Sequence, residues 1–300
     1  MKKTAIITFL FLASAFASIA QVNKSNQVKP KPKAKKAAPI HKTVTRPIPF
    51  SIEQKVELTT DYGVIVMKLY NETPKHRDNF IKLVKAGFYD SLLFHRVIET
   101  FMIQGGDPGS KYSDTSASLG DGDVGYTIPA EFNPKLFHRK GALAAARDNN
   151  PAKASSGCQF YIVQGKSYTP KELEQIINGK NMSHKQEILY NLYQRDSVQA
   201  MVNELNAKGD KEALRKYISS LQPAADKEYE QKYPNATNVD MDQIEYYVKV
   251  GGTPQLDGDY TVFGEVISGW NVIDKIAAVA TRKSDNRPLV NVRMKMRLIQ

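Results

Sequence analysis

Apolar and polar positions alternate with the period of a strand at the start of the body of this chain, then shift to helical spacing. Lys55 to Thr59 and Val64 to Tyr70 each alternate, and Asp61-Tyr62-Gly63 between them has turn composition, so two strands are expected around that turn. From Thr73 the spacing changes. Phe80, Leu83 and Val84 share one helical face, Thr73-Pro74 is a helix start with threonine as N-cap, and Gly87 supplies the stop. Strand alternation returns in Phe94 to Ile98 and again in Phe101 to Gln104, which reads as a hairpin closed off by Gly105-Gly106-Asp107. Residues 105–123 are rich in Gly, Ser and Asp and read as a surface loop, without the Gly-Lys-Ser/Thr continuation of a phosphate cradle.

Helical spacing dominates a later stretch. Thr169-Pro170 opens a short helix that Gly179 is expected to close. Ser183 and Gln186 form a capping box for a longer helix whose stripe runs Ile188, Leu189, Leu192, Val198, Met201, Val202 and Leu205. Asp210 caps a third, with Leu214, Tyr217, Ile218 and Leu221 on one face, expected to end at Pro223. A fourth spans Met241 to Val250.

Charge separates the ends from the body. The chain carries +11, of which residues 21–50 contribute +8 with no acidic residue and Lys2 and Lys3 two more, leaving residues 51–300 near +1. Residues 1–20 have the layout of an export signal: two lysines, an apolar core from Ile6 to Phe16, and small residues at Ser18-Ile19-Ala20. The apolar run falls short of the roughly 20 residues of a membrane span. No cysteine follows Ala20, so a lipoprotein processing site is absent, and the periplasm is the expected compartment. Residues 21–50, with Pro30, Pro32, Pro39, Pro47 and Pro49, form an extended basic linker: a solvated tether, or a segment drawn to anionic surfaces. Too few aromatics interleave its charges for a nucleic-acid binder. Cys158 is the only cysteine, so no intramolecular disulfide forms. The five histidines show no metal-ligand spacing, and no metal or other cofactor is expected.

The chemistry concentrates in Phe94-His95-Arg96-Val97-Ile98-Glu99-Thr100-Phe101-Met102-Ile103-Gln104-Gly105-Gly106-Asp107. An arginine among apolar neighbours is costly unless its guanidinium faces a groove or finds a partner; an edge arginine on an ordinary hairpin is the alternative. The wording of this stretch resembles the signature of the cyclophilin-type peptidyl-prolyl cis-trans isomerases. Tyr126 to Phe132 resembles a segment common in bacterial members. Gly141 to Arg147 with Ser156 to Ile162 resembles the second signature, more loosely: Arg147 stands for a usual asparagine, Cys158 for serine and Tyr161 for phenylalanine. Leu256-Asp257-Gly258-Asp259-Tyr260-Thr261-Val262-Phe263-Gly264 resembles a third segment, with Tyr260 for a frequent histidine and Gln255 where a tryptophan often stands.

The resemblance implies a mainly β fold: a closed eight-stranded antiparallel β-barrel capped by two helices, the second at Asn271 to Ala278, with Asn291 to Leu298 as last strand. Residues 166–250 interrupt it as an inserted α-helical subdomain within a domain at 51–300. It implies a peptidyl-prolyl isomerase, with Arg96 and Gln104 catalytic. Phe101, Met102, Ala146, Arg147, Gln159, Tyr161, Leu256 and Tyr260 would bind substrate, the Tyr161 hydroxyl lying at the rim. The expected partners are proline-containing polypeptides and the expected state is a monomer. A proline-binding chaperone module and a scaffold whose insert binds a partner are the competing readings.

Overall fold

The structure, a computed structural model, describes residues 54–114, 116–234 and 240–300. The signal and linker assigned to residues 1–50 lie outside the described residues. Eight strands form one strongly curled antiparallel sheet. They are β1 (Gln54–Thr60), β2 (Gly63–Leu69), β3 (Phe94–Ile98), β4 (Met102–Gly105), β6 (Ala142–Ala145), β8 (Phe160–Val163), β9 (Val262–Ser268) and β10 (Met294–Ile299). Their order across the sheet is β10-β1-β2-β9-β6-β8-β4-β3; the short strands β5 (Thr127–Ile128) and β7 (Ser155–Ser156) pair separately. The two outermost strands approach each other: Ser91 N donates to Met294 O at 2.9 Å, Met294 N to Leu92 O at 2.9 Å, and Phe94 N to Val292 O at 3.0 Å.

The alternation read in the first strands works as expected. Val56, Leu58, Ile65, Met67 and Leu69 are buried, while Glu57 turns outward to a two-pronged bond with Arg297 at 2.7 and 2.8 Å. Inside the curl, Phe80, Tyr89, Phe160 and Phe263 pack with centroid spacings between 5.1 and 5.6 Å. Phe80 belongs to helix α1 (Pro74–Lys85), which starts at Pro74 as the sequence predicts but is not capped by Thr73. The Thr73 hydroxyl is buried with no partner among the described residues, and the Glu131 carboxylate instead accepts from Lys75 N at 3.1 Å and His76 N at 3.0 Å. A carboxylate brought from elsewhere in the chain answers the helix's free amides better than the local hydroxyl.

Five helices follow β8: α2 (Pro170–Tyr193), α3 (Asp196–Ala207), α4 (Lys211–Ser219), α5 (Gln222–Lys232) and α6 (Met241–Lys249). Three expected boundaries are corrected, the first being the single helix read across Ile188 to Leu205, which breaks between Tyr193 and Asp196 into α2 and α3. Gly179 does not end a helix but lies inside the 24-residue α2, where Ser183 bonds back to its carbonyl at 3.0 Å rather than capping a new start. Pro223 does not end one either: it lies in the first turn of α5, where its missing N–H costs nothing. The Thr169–Glu172 capping box and the Asp210 cap on Ala213 N are present. Ile188, Leu192, Ala225 and Tyr229 form a small core of these helices, and Tyr168, Leu173 and Tyr247 form a second. Helix α7 (Trp270–Ala277) packs near β2, and the Trp270 ring lies so close over Gly141 that a Cβ there would sit 2.2 Å from it. Trp270 is therefore a packing residue. Among the described residues no helix is long and apolar enough to cross a membrane.

Candidate active site

A cleft of about 360 Å³ opens beside the β3–β4 hairpin, and nine of the ten residues nominated from sequence line it. They arrive from four places. Arg96, Phe101, Met102 and Gln104 come from the hairpin, Ala146 and Arg147 from the end of β6, Tyr161 from β8, and Leu256 and Tyr260 from the loop before β9. The tenth, Gln159, lies one hydrogen bond behind.

The polar wall is a row of side chains. In β3, Phe94 faces Gly105 and Arg96 faces Gln104, so His95 is an extra residue in the ladder. Such a bulge re-aims the side chains beside it. Arg96 Nη1 donates to Gln104 Oε1 at 3.1 Å, and Gln104 Nε2 donates to Gln159 Oε1 at 3.1 Å. Gln159 Nε2 donates to the carbonyls of Gly120 and Gly122, both at 2.8 Å. The loop holding those carbonyls is wound on Asp107, whose carboxylate accepts from Gly109 N at 2.7 Å, Gly120 N at 2.5 Å and Gly122 N at 3.4 Å. Gly106, at φ +97°, leaves no room for a side chain: a Cβ would stand 2.3 Å from the Cys158 carbonyl. Partial burial holds the Arg96 guanidinium below its usual pKa, with Tyr260 opposing. An arginine there still stays charged.

The apolar wall faces this row. Met102, Ala146 and Tyr161 are buried, and Phe101, Leu256 and Tyr260 pack against them half-buried. The Tyr161 and Tyr260 rings meet edge-on at 5.9 Å, and the Arg147 guanidinium lies 4.7 Å over the Tyr260 ring. The Tyr161 hydroxyl is not at the rim, as expected from sequence. It points inward to His138 Nε2 at 2.9 Å, because His138 sits beneath it, stacked at 6.0 Å and 12°. An apolar floor of ring width beside a fixed cation and two amides suits a proline ring and the peptide groups flanking it.

The sequence profile described as cyclophilin type peptidyl-prolyl cis-trans isomerase/CLD matches residues 55–185 and 232–297, about two thirds of the chain. The chain belongs to the cyclophilin family. It is accordingly a cyclophilin-type peptidyl-prolyl cis-trans isomerase. A relative from Staphylococcus aureus (strain USA300) named for the same activity is 30% identical over 242 residues, covering 80% of this chain and 88% of that one. A Streptococcus pyogenes (serotype M6) protein named for both phosphatase and isomerase activity is 39% identical over 124 residues, 40% of this chain and 24% of its own. A crystal structure of a Cryptosporidium parvum cyclophilin superposes with a TM-score of 0.49 at 19% identity, over 83% of this chain and 99% of that one. The profile breaks at residues 186–231, inside the stretch read from sequence as an insertion.

Several residues of this cyclophilin's site were not nominated from sequence. Asp107 acts through folding of the loop, and Leu119, Gly120, Asp121 and Asp285 reach the cleft from loops with no periodic signal. His95 lines the cleft at 3% exposure with neither ring nitrogen bonded among the described residues. A further line of side chains, Glu131 to His76 Nδ1 at 2.7 Å and His76 Nε2 to Ser155 Oγ at 3.0 Å, imitates a hydrolytic triad. Ser155 is 1% exposed, so no substrate reaches it, and the row serves to staple α1 to β7. The Cys158 thiol, pushed up to about 11 by burial, is likewise unreactive.

Burial lowers the His95 pKa from 6.5 to about 4, with Asp107 opposing and Arg96 and Arg287 reinforcing it. The unfolded chain then binds a proton at His95 that the folded chain refuses between these values. Stability from this residue is complete above pH 6.5 and is lost as pH falls towards 4, by about 3 kcal/mol at most. Urea unfolding of His95→Gln and wild type should show the gap between them changing over that interval, with the variant losing less. Parallel pH curves would mean that His95 is protonated in the fold.

Proposed function

We propose that this cyclophilin accelerates X-Pro isomerisation in exported proteins and so assists their folding, with residues 1–20 as export signal, residues 21–50 as a basic tether, and the periplasm as its compartment. We also read the bonds between the strand ends near Leu92 and Met294 as closing the sheet into a barrel, interrupted at 166–250 by the inserted helices. The X-Pro bond turns slowly because its C–N bond has double-bond character, with a barrier of roughly 20 kcal/mol. Rotation is eased when the prolyl nitrogen recovers its lone pair. A guanidinium donating towards that nitrogen favours the twisted state over both planar ones.

Arg96 is assigned that role. Gln104 holds Arg96 and bonds the substrate backbone, and Gln159 holds Gln104. Phe101, Met102, Tyr161 and Leu256 seat the proline ring, while Ala146, Arg147 and Tyr260 flank the chain. The observation that carries this reading is the bonded row Arg96–Gln104–Gln159 facing an apolar floor. The test has two arms. Exchange spectroscopy on an X-Pro tetrapeptide should show cis–trans exchange quickened by the purified protein, and fractionation of expressing bacteria should find it outside the cytoplasm without residues 1–20. Peptide binding with no change in exchange would favour a chaperone module, and an intact amino terminus in the cytoplasm would remove the export assignment.

A further inference from the structure

We propose that the helices between β8 and β9 set the catalytic groove through a hydrogen-bonded relay, Tyr247–Asp257–His138–Tyr161, in which Tyr247, Asp257 and His138 are positioning residues for the Tyr161 ring. The proposal rests on the reading of the cleft as the proline site.

Each link is a hydrogen bond. Tyr247, on α6 and 2% exposed, donates its hydroxyl to Asp257 Oδ2 at 2.6 Å. Asp257 Oδ1 accepts from the His138 main-chain N and from its Nδ1, both at 2.8 Å. His138, fully buried, meets the Tyr161 hydroxyl through Nε2. Burial holds the Tyr161 and Tyr247 hydroxyls well above the ordinary tyrosine pKa, so both remain protonated. The buried hydroxyls of Tyr247 and Tyr161 and both ring nitrogens of His138 are answered within the row, and cutting the link at either end of His138 leaves a buried ring nitrogen without its partner.

A ring held only by apolar contact can slide and tip within its pocket, and a hydroxyl bonded at the para position removes that freedom. A phenyl ring would fill the same floor without the relay, so the hydroxyl's distinctive contribution is to fix orientation. The helices also grip the same loop at a second point. Lys180, on α2, donates to the Asp257 carbonyl, and Asp259 is held by Lys153, Lys180 and His184. The Asp259 carbonyl in turn accepts from Arg147 Nε at 2.8 Å. The loop carrying Leu256 and Tyr260 is thus fastened to the helices at both of its carboxylates.

A double-mutant cycle on the full chain separates positioning from simple support. Tyr161→Phe, Tyr247→Phe and the pair are compared for kcat and KM on an X-Pro tetrapeptide, with urea midpoints measured alongside. Tyr247→Phe should lower kcat roughly five- to tenfold with KM within about twofold, and should add nothing once Tyr161→Phe has cut the far end, the signature of coupled sites. An equal loss in both backgrounds, or no loss in either, overturns the relay. If Tyr247→Phe does not fold, Asp257→Asn runs the same cycle with the carboxylate's shape kept, and the same two outcomes decide. Arg96→Ala is the control for the underlying reading: if it loses turnover while the cycle is additive, the groove assignment stands and the relay alone falls.

Discussion

Arg96→Ala should lose roughly 10²–10³ of kcat/KM on a tetrapeptide, the usual cost of removing one donor that acts in the transition state. Its unfolding midpoint should stay close to wild type. The reason lies in how the side chain is held: it is half-buried at the cleft, and among the described residues its side-chain bond is the 3.1 Å contact to Gln104. Gln104 keeps its second bond, to Gln159, when the arginine is gone. Arg96→Lys should recover little, since an ammonium on a flexible stem lacks the rigid fork that fixes donor direction. Turnover within a fewfold of wild type in Arg96→Ala would remove the guanidinium from the mechanism.

Asp107→Ala should be the most damaging change outside the groove itself. Its carboxylate is 2% exposed and gathers three main-chain amides, from Gly109, Gly120 and Gly122. Losing it strands part-buried N–H groups and should cost on the order of 3 kcal/mol, since bonds to a charged acceptor are worth about 1.5–3 kcal/mol each and water will answer some of them. Turnover should fall as well, by roughly tenfold, because the carbonyls of Gly120 and Gly122 are what orient Gln159 and, behind it, Gln104 and Arg96. Asp107→Asn, which keeps one acceptor oxygen, should lie between. Urea titration and kinetics on the same preparations check both effects, and a destabilised variant with wild-type kcat would show that the loop holds only the fold.

The strands and the groove were legible in the sequence for different reasons. In β1 and β2 one face is buried and the other wet, so alternation writes itself into residues 54–69. The groove was legible because its residues sit in motifs, and nine of those ten side chains do line one cleft. What escaped was everything set by contacts between distant segments. Gly179 was read as a stop because glycine is poor in helices, yet that penalty is only about 1 kcal/mol, and α2 keeps its capping box and the buried Leu173, Ile188 and Leu192. Glu131 as the cap of α1, His138 beneath Tyr161 and Asp107 on Gly120 are pairings across 55, 23 and 13 residues, which no local spacing announces.

The strand order carries a kinetic consequence. β9, from residues 262–268, lies between β2 and β6, and β10 pairs with β1 across more than two hundred residues. Contacts of such sequence separation form late, because a long loop must close before any of them is rewarded. Leu256 and Tyr260 sit on the approach to β9, so their side of the apolar wall is set only once that strand has slotted in. A nascent or truncated chain ending before residue 262 would hold Arg96, Gln104 and Tyr161 and still lack the strand that seats Leu256 and Tyr260. A complete groove therefore arrives only with the stretch from residue 262 onward, and the regain of turnover during refolding should lag behind the formation of the β1–β2 hairpin.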